Sequence, residues 1–389
     1  MADIEALIRA VQTALDRLED PKTGQGLITS GRVQGVAARD NGRVSFIVEA
    51  DGLGPLVAGA LRDAAVAAVQ DVSGVSEALA VLTAERTGEA PLAPGSRRVR
   101  KGARLSDEAI AQNAPRQAGL LPPIPGVAAI VAVASAKGGV GKSTVAVNLA
   151  CALSQRGLSV GLLDADIYGP SAPLMTGTVD ASPEALPDKS LIAPEAWGLK
   201  VMSIGHLVDP DAPMIWRGPI VMSALTQLLN DVAWAPLDIL ILDTPPGTGD
   251  ALLTLAQRVP LDGAVIVSTP QEAALADVRR GVAMFRKTQV PILGIVENMA
   301  YFEQMDGTKA YIFGEGGAKK TAKTVEAPFL GELPLDQAVR EGGDAGAPIT
   351  AAQPESASAQ RFLRLADRFL DALDAARKTQ KPAPEIVFE

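Results

Sequence analysis

The sequence of 389 residues contains one cysteine, Cys151, and one histidine, His206. A lone cysteine excludes an intramolecular disulfide framework and any metal site that needs several thiolates from one chain. A lone histidine likewise excludes His-rich metal centres and most Ser-His or Cys-His catalysis. Positive charge is also short: 36 Lys and Arg stand against 45 Asp and Glu, a formal net charge of -9, which argues against broad nucleic-acid binding. The amino-terminal segment MADIEALIRA has no basic stretch leading into an apolar one, so the expected location is cytoplasmic. The longest uncharged run, Gln117 to Ala136, approaches the length of a membrane span, yet Pro122, Pro123, Pro125 and Gly126 interrupt it. It reads as a loop entering a buried strand, and no membrane partner is expected.

Apolar residues make up 47% and charged residues 21%, a globular composition, and the length leaves room for two or three domains. Ile4, Leu7, Ile8, Val11, Leu15 and Leu18 fall at helical spacing, and Asp20-Pro21 stops the pattern. Two strand-like stretches then flank the hairpin signal Asn41-Gly42, followed by an Ala-rich helix near 54–70 and a strand near 75–82. Residues 1–85 are therefore expected to form a small α/β domain. Residues 86–125 have prolines and glycines without an apolar period, and include the basic cluster Arg97, Arg98, Arg100 and Lys101. They read as a solvated linker or, alternatively, as a docking patch for an acidic partner or nucleic acid.

From Val127 onward, continuous apolar runs at 127–134, 159–166, 237–243, 263–269 and 291–298 alternate with helical segments. Such runs mean strands covered on both faces, and helices between them mean right-handed crossovers. The predicted fold class is α/β, a doubly wound, mostly parallel sheet over residues 126–376. A last helix near 356–377 places Phe362, Leu365, Ala366, Phe369 and Leu373 on one face. Its polar face mixes Asp367, Asp371 and Asp374 with arginines, which suits docking on the domain better than membrane targeting. Residues 377–389 read as a tail.

The strand at 127–134 runs into Ser135-Ala136-Lys137-Gly138-Gly139-Val140-Gly141-Lys142-Ser143-Thr144, and a helix follows. The glycines let consecutive backbone N–H groups face one phosphate chain, and the helix amino terminus adds positive potential. Lys142 then reaches the β- and γ-phosphates while the Ser143 hydroxyl suits Mg2+. The next strand ends in Asp164-Ala165-Asp166, two carboxylates at the edge where open α/β sheets bind ligands; either could instead cap a helix. Asp243, in Ile241-Leu242-Asp243-Thr244-Pro245-Pro246-Gly247, ends another buried strand, where a carboxylate needs a compensating partner.

Ala136 stands where the general P-loop pattern has its first glycine, and Lys137 is a second lysine within the loop. KGGVGKST thereby resembles the deviant Walker A group, which includes the Mrp, MinD, ParA, ArsA and nitrogenase iron-protein families. With DADIYGPSAPLMTG, WRGP at 216–219, LDTPPGTGD and IVENMAYF it resembles the Mrp/ApbC family of ATP-binding iron-sulfur cluster carriers over about residues 125–375. The small amino-terminal domain is similar to the one that precedes the ATPase in many bacterial members. The resemblance implies a P-loop NTPase fold, ATP and Mg2+ as cofactors, ATP hydrolysis by a homodimer, and delivery of clusters to apo iron-sulfur or other client proteins. It implies that Lys137 reaches across the dimer to the partner's nucleotide, and that Gly138, Gly139, Val140, Gly141, Lys142, Ser143 and Thr144 hold the phosphates. Asp166 would orient the attacking water, Asp164 would support the metal, and Asp243 would hold Mg2+ through water. The Gly247 amide would sense the γ-phosphate. Asn298 would contact the adenine, with the Pro334 loop closing over it, unless Asn298 only caps its strand. Arg217 would be an interface or switch contact, or else a surface ion pair.

One departure divides the functional expectation. The family normally carries a Cys-x-x-Cys pair after ENM-x-x-F, and here the segment is Glu303-Gln304-Met305-Asp306-Gly307-Thr308-Lys309. Cys151 lies on the helix after the P-loop, where a small thiol reads as a core residue. No Fe-S ligand is identified. The leading expectation is an ATP-dependent factor in iron-sulfur cluster assembly or transfer; the alternative is a nucleotide-gated homodimeric switch that acts on a protein partner without carrying a cluster. A MinD- or ParA-type positioning ATPase is disfavoured, because the last helix is not basic and amphipathic.

Overall fold

The computed structural model describes residues 2–39, 41–50, 52–53, 55–83, 120–186, 190–207 and 218–379. The expected linker as far as residue 119 with its basic cluster, Arg217, and the tail beyond 379 lie outside the described residues.

The amino-terminal elements are α1 (Ala2–Leu15), β1 (Val33–Ala38), β2 (Arg43–Glu49), α2 (Pro55–Gln70) and β3 (Glu77–Thr83). β2 is central, antiparallel to β1 and parallel to β3. Side chains alternate across a strand. Val44, Phe46 and Val48 accordingly share a core with Val11 and Leu15 of α1 and Leu61, Ala65 and Val69 of α2. Ile47 and Val81 point the other way and join the core of the larger unit. The small sheet is thus covered on both faces. Between α1 and β1, the buried carboxylate of Asp20 pairs with Arg32 at 2.9 Å and fixes the loop.

The large sheet contains β4 (Ile130–Ala134), β5 (Val160–Asp164), β8 (Glu195–Ala196), β9 (Leu199–Ser203), β10 (Ile239–Asp243), β11 (Gly263–Ser268), β12 (Ile292–Glu297) and β15 (Phe329–Glu332). Their order is β15-β12-β11-β4-β10-β5-β9-β8, and only β8 runs antiparallel to its neighbour. Two-stranded ribbons, β6 (Glu184–Ala185) with β7 (Leu191–Ile192) and β13 (Phe302–Glu303) with β14 (Lys309–Ala310), decorate it. The central strands feed two apolar layers: Ile130, Ala132, Leu240 and Leu242 pack with Trp234 and Phe285, whereas Val131, Val133, Ile239 and Ile241 pack with Leu149, Leu153, Phe362 and Phe369. This two-sided burial is why the strands read as unbroken apolar runs.

Helices α3 (Lys142–Gln155), α4 (Ala172–Thr176), α5 (Gly218–Asn230), α6 (Asp250–Arg258), α7 (Glu272–Lys287) and α8 (Gly317–Thr324) provide the connections. They are followed by α9 (Gln337–Asp344), α10 (Ile349–Ala352) and α11 (Ala357–Thr379). Two differences from the sequence reading have physical causes. α11 continues to Thr379 rather than yielding to a tail at 377, because Arg377 in its last turn reaches the Ala128 carbonyl. β9 was not expected as a strand, since Lys200 interrupts a short apolar run; its ammonium is accommodated by the carbonyls of Ala233, Trp234 and Ala235 at 2.9–3.1 Å.

Candidate functional site

β4, β5 and β10 lie side by side, with Asp243 in register with Asp164 and with Val133. Their carboxyl ends open onto the loop 135–141. Gly139 and Gly141 hold φ of 79° and 81°, which bends the backbone around before α3 begins at Lys142. Gly138 and Gly139 are exposed, and a Cβ added at either meets nothing within 4 Å, so the loop bounds open space on that side. The other side is tied down. Ser135 Oγ donates to the Lys137 carbonyl at 3.0 Å, and the Gly247 amide donates to the Ser135 carbonyl at 2.8 Å.

Lys142 is almost buried, and its ammonium lies 2.5 Å from Asp243 Oδ1 and 3.2 Å from Ser143 Oγ. Asp243 is fully buried, and its other oxygen, Oδ2, has no hydrogen-bond partner. An orphaned carboxylate oxygen beside a serine hydroxyl is a donor set of the hard-oxygen kind that Mg2+ takes, usually with several waters retained. The residues present therefore fit that ion.

The hydrogen bonds of Asp164 are those of a helix cap, the alternative that the sequence left open for it beside support of the metal. Oδ1 accepts the Asp166 amide at 3.1 Å, and Oδ2 accepts the amides of Ser171 and Ala172 at 2.9 and 3.0 Å and the Ser203 hydroxyl at 3.3 Å. One carboxylate thus holds both ends of the loop that carries Asp166. Burial, reinforced by the charge of Asp243, pushes the Asp164 carboxyl up to about 7. Burial also raises Asp166, which remains partly exposed.

Asn298, just past β12, is tied to the loop itself: Nδ2 donates to the Val140 carbonyl at 2.8 Å and sits where a Cβ on Gly141 would be. Neither sequence alternative, adenine contact or strand cap, anticipated that bond. Pro334 follows β15 and is partly exposed, with its neighbours Leu333 and Leu335 bonded to Glu297 and Tyr301 across the chain. Lys137 is exposed, and Thr144 lies in the first turn of α3 with its carbonyl taken by Asn148.

The segment that lacks the cysteine pair is the β13-β14 ribbon. Its turn is closed by Thr308, which bonds Asp306 and Gln304, and its base by Glu303 with Arg361 at 2.7 Å and Lys309 with Glu332 at 3.1 Å. Cys151 is buried on α3, and burial pushes its thiol up to about 12. Among the described residues no three His, Cys, Asp or Glu side chains group as a metal site, and no helix is long and apolar enough to cross a membrane.

Sequence reasoning missed three residues. Glu297 caps the amino terminus of α8 through the Ala318 amide. Ser203 and His206 form a reciprocal cap on the short helical turn Ile204–His206, and they connect to Asp164. The Ser-x-x-His spacing was visible, but it is a cap signature only once the preceding strand is known.

A glycine loop between a buried strand and a helix, a lysine on a strand-end aspartate and a second acidic strand end define a P-loop nucleotide-binding protein. The ParA family model, described as the NUBPL iron-transfer P-loop NTPase, matches residues 126–370, and the iron-sulfur cluster assembly protein model matches residues 8–80. The chain belongs to this family of iron-transfer P-loop NTPases. It is 52% identical over 253 residues to the iron-sulfur cluster transfer protein NUBPL of Dictyostelium discoideum, covering 64% of this chain and 78% of that one. It is 51% identical over 252 residues to the iron-sulfur cluster carrier protein of Synechocystis, covering 64% and 71% of the two chains. A nucleotide-binding protein of Archaeoglobus fulgidus, solved in complex with ADP, is 37% identical with a TM-score of 0.54, covering 67% of this chain and 98% of that one.

Proposed function

We propose that this protein binds Mg-ATP at the 135–144 loop, hydrolyses it as a homodimer, and serves iron-sulfur cluster assembly or transfer to apoproteins. The observation that carries the nucleotide part is Lys142 held against Asp243, with Ser143 and an unpartnered carboxylate oxygen beside it. In this reading Gly138 to Thr144 hold the phosphates, Lys137 acts on the partner's nucleotide, Ser143 and Asp243 hold the metal, and Asp166 positions water. Phosphoryl transfer is mostly positioning and charge neutralisation, which such a set supplies. Gly247, bonded to the back of the loop, reports the γ-phosphate; Asn298 and Pro334 flank the base. Residues 1–85 act as a small domain in front of the ATPase unit.

The cluster is cargo, and the names of the relatives support its part in the reading. A second reading, a nucleotide-gated switch that acts on its partner without carrying a cluster, is favoured by one observation: the family's cysteine segment is here a ribbon closed by ion pairs, and the chain's thiol is buried. Turnover of Mg-ATP by the full chain, compared with Lys142→Ala and Asp166→Ala, tests the shared part. Binding without turnover in Asp166→Ala, and neither in Lys142→Ala, is the expected result.

A further inference from the structure

A run of buried polar groups that the proposed hydrolysis does not use links the start of α4 to its end. His206 is 2% exposed. Its Nδ1 accepts the Ser203 amide at 3.2 Å, so the proton of the neutral ring is assigned to Nε2, which then donates to Thr178 Oγ1 at 2.9 Å. Thr176 Oγ1 spends its own hydrogen on the Ala172 carbonyl at 2.7 Å, so Thr178 must donate to Thr176, 3.0 Å away. Ser203 donates in turn to Asp164 Oδ2, which also receives the amides that begin α4. The path is closed: Asp164, α4, Thr176, Thr178, His206, Ser203 and Asp164 again. Every hydrogen in it has one direction, and Asp164, Thr176, Thr178, His206 and Ser203 are each at most 5% exposed.

Buried polar networks of this kind are favourable only when fully satisfied, and then they hold one geometry. Here that geometry is the placement of the Asp164 carboxylate, whose Oδ1 holds the Asp166 amide. The outer end is reached from the small domain: Arg39, just past β1, donates to the Val179 carbonyl beside Thr178 at 3.2 Å. We propose that His206 is a positioning residue which, through Ser203 and Asp164, sets the Asp166 loop for ATP hydrolysis, with Arg39 of the small domain acting on the outer end of the same path. The proposal rests on the hydrolysis reading given above. It predicts an effect on turnover rather than on ATP binding, because the loop 135–141 is no part of the path.

The test is steady-state ATP hydrolysis by the full chain, with melting temperature measured in parallel, for His206→Leu, His206→Asn, Thr178→Val, Arg39→Ala and the double variant of His206→Leu with Thr178→Val. Losing one modest hydrogen bond from the positioned state predicts that kcat falls about fivefold in His206→Leu and Thr178→Val with KM for ATP unmoved. Asn keeps an acceptor for the Ser203 amide, so His206→Asn recovers part of the rate. The double variant is no slower than the slower single one, since the first change already opens the path. Arg39→Ala lowers kcat in the same sense by less. Wild-type turnover with unchanged kcat in Thr178→Val overturns the relay, and that near-isosteric change keeps the test available if His206→Leu fails to fold. A rise in KM equal to the fall in kcat/KM also overturns it. A wild type without any Mg-ATP turnover instead overturns the hydrolysis reading on which the relay rests.

Discussion

The ammonium of Lys142 lies 2.5 Å from Asp243 Oδ1, and both side chains are withdrawn from solvent. One lysine therefore serves two demands. Without nucleotide it neutralises a buried carboxylate; in the proposed reaction the same cation would face the phosphates and Asp243 would help hold Mg2+. Removing one member of a buried pair leaves the other uncompensated.

Lys142→Ala is accordingly expected to lower the stability of the nucleotide-free protein by about 3 to 5 kcal/mol as well as to abolish ATP binding. Urea denaturation with and without ATP reads both effects. A variant as stable as the wild type would show that Asp243 finds another partner.

Asp166→Ala is expected to bind ATP and to lose on the order of 2 to 4 kcal/mol of transition-state stabilisation. Single-turnover hydrolysis separates this from binding. Turnover equal to the wild type removes Asp166 from the chemistry.

Mixed dimers test Lys137. When Lys137→Ala chains exchange with Lys142→Ala chains, one composite site pairs an intact loop with an intact trans lysine, so partial activity is expected to return. A mixture that exchanges subunits and stays inactive shows that Lys137 does not act across the interface.

His206 gives stability a pH dependence. Burial, with the charge of Arg39 adding to it, lowers the imidazole from 6.5 to about 4. The unfolded chain then takes up the proton first, so the contribution is intact above about 6.5 and is lost as pH falls from there to about 4. The loss approaches about 3 kcal/mol, and His206→Asn flattens that part of a denaturation profile measured against pH. An unchanged profile would mean that carboxylates alone govern the acid limb.

Anaerobic reconstitution addresses the cargo. The single thiol per chain is buried with a raised pKa, so the isolated protein is expected to retain no stable cluster, and Cys151→Ala to leave its iron content unchanged. About four irons per two chains surviving gel filtration, in the wild type and in Cys151→Ala alike, would overturn this expectation and point to oxygen ligands.

The loop 135–144, the acidic strand ends Asp164 and Asp243 and the alternation of apolar runs with helices were legible because each is local: a few consecutive residues fix the glycine geometry, and burial on both faces is written into uninterrupted hydrophobicity. The same holds for the missing cysteine pair. What the sequence left open depends on groups brought together over long separations. Nothing in the sequence announces that the oxygens of Asp164 are taken together by residues 166, 171, 172 and 203, so the choice between metal support and helix cap stayed open there. Asn298 meets Val140 across 158 positions, and the lone histidine, informative in the sequence only for what it excluded, becomes the hub of a buried hydrogen-bond path. A hydrogen bond is satisfied by geometry and not by sequence distance, so the residues that carry the chemistry were readable one by one, while their mutual placement was decided only when β5, β9 and α4 packed together.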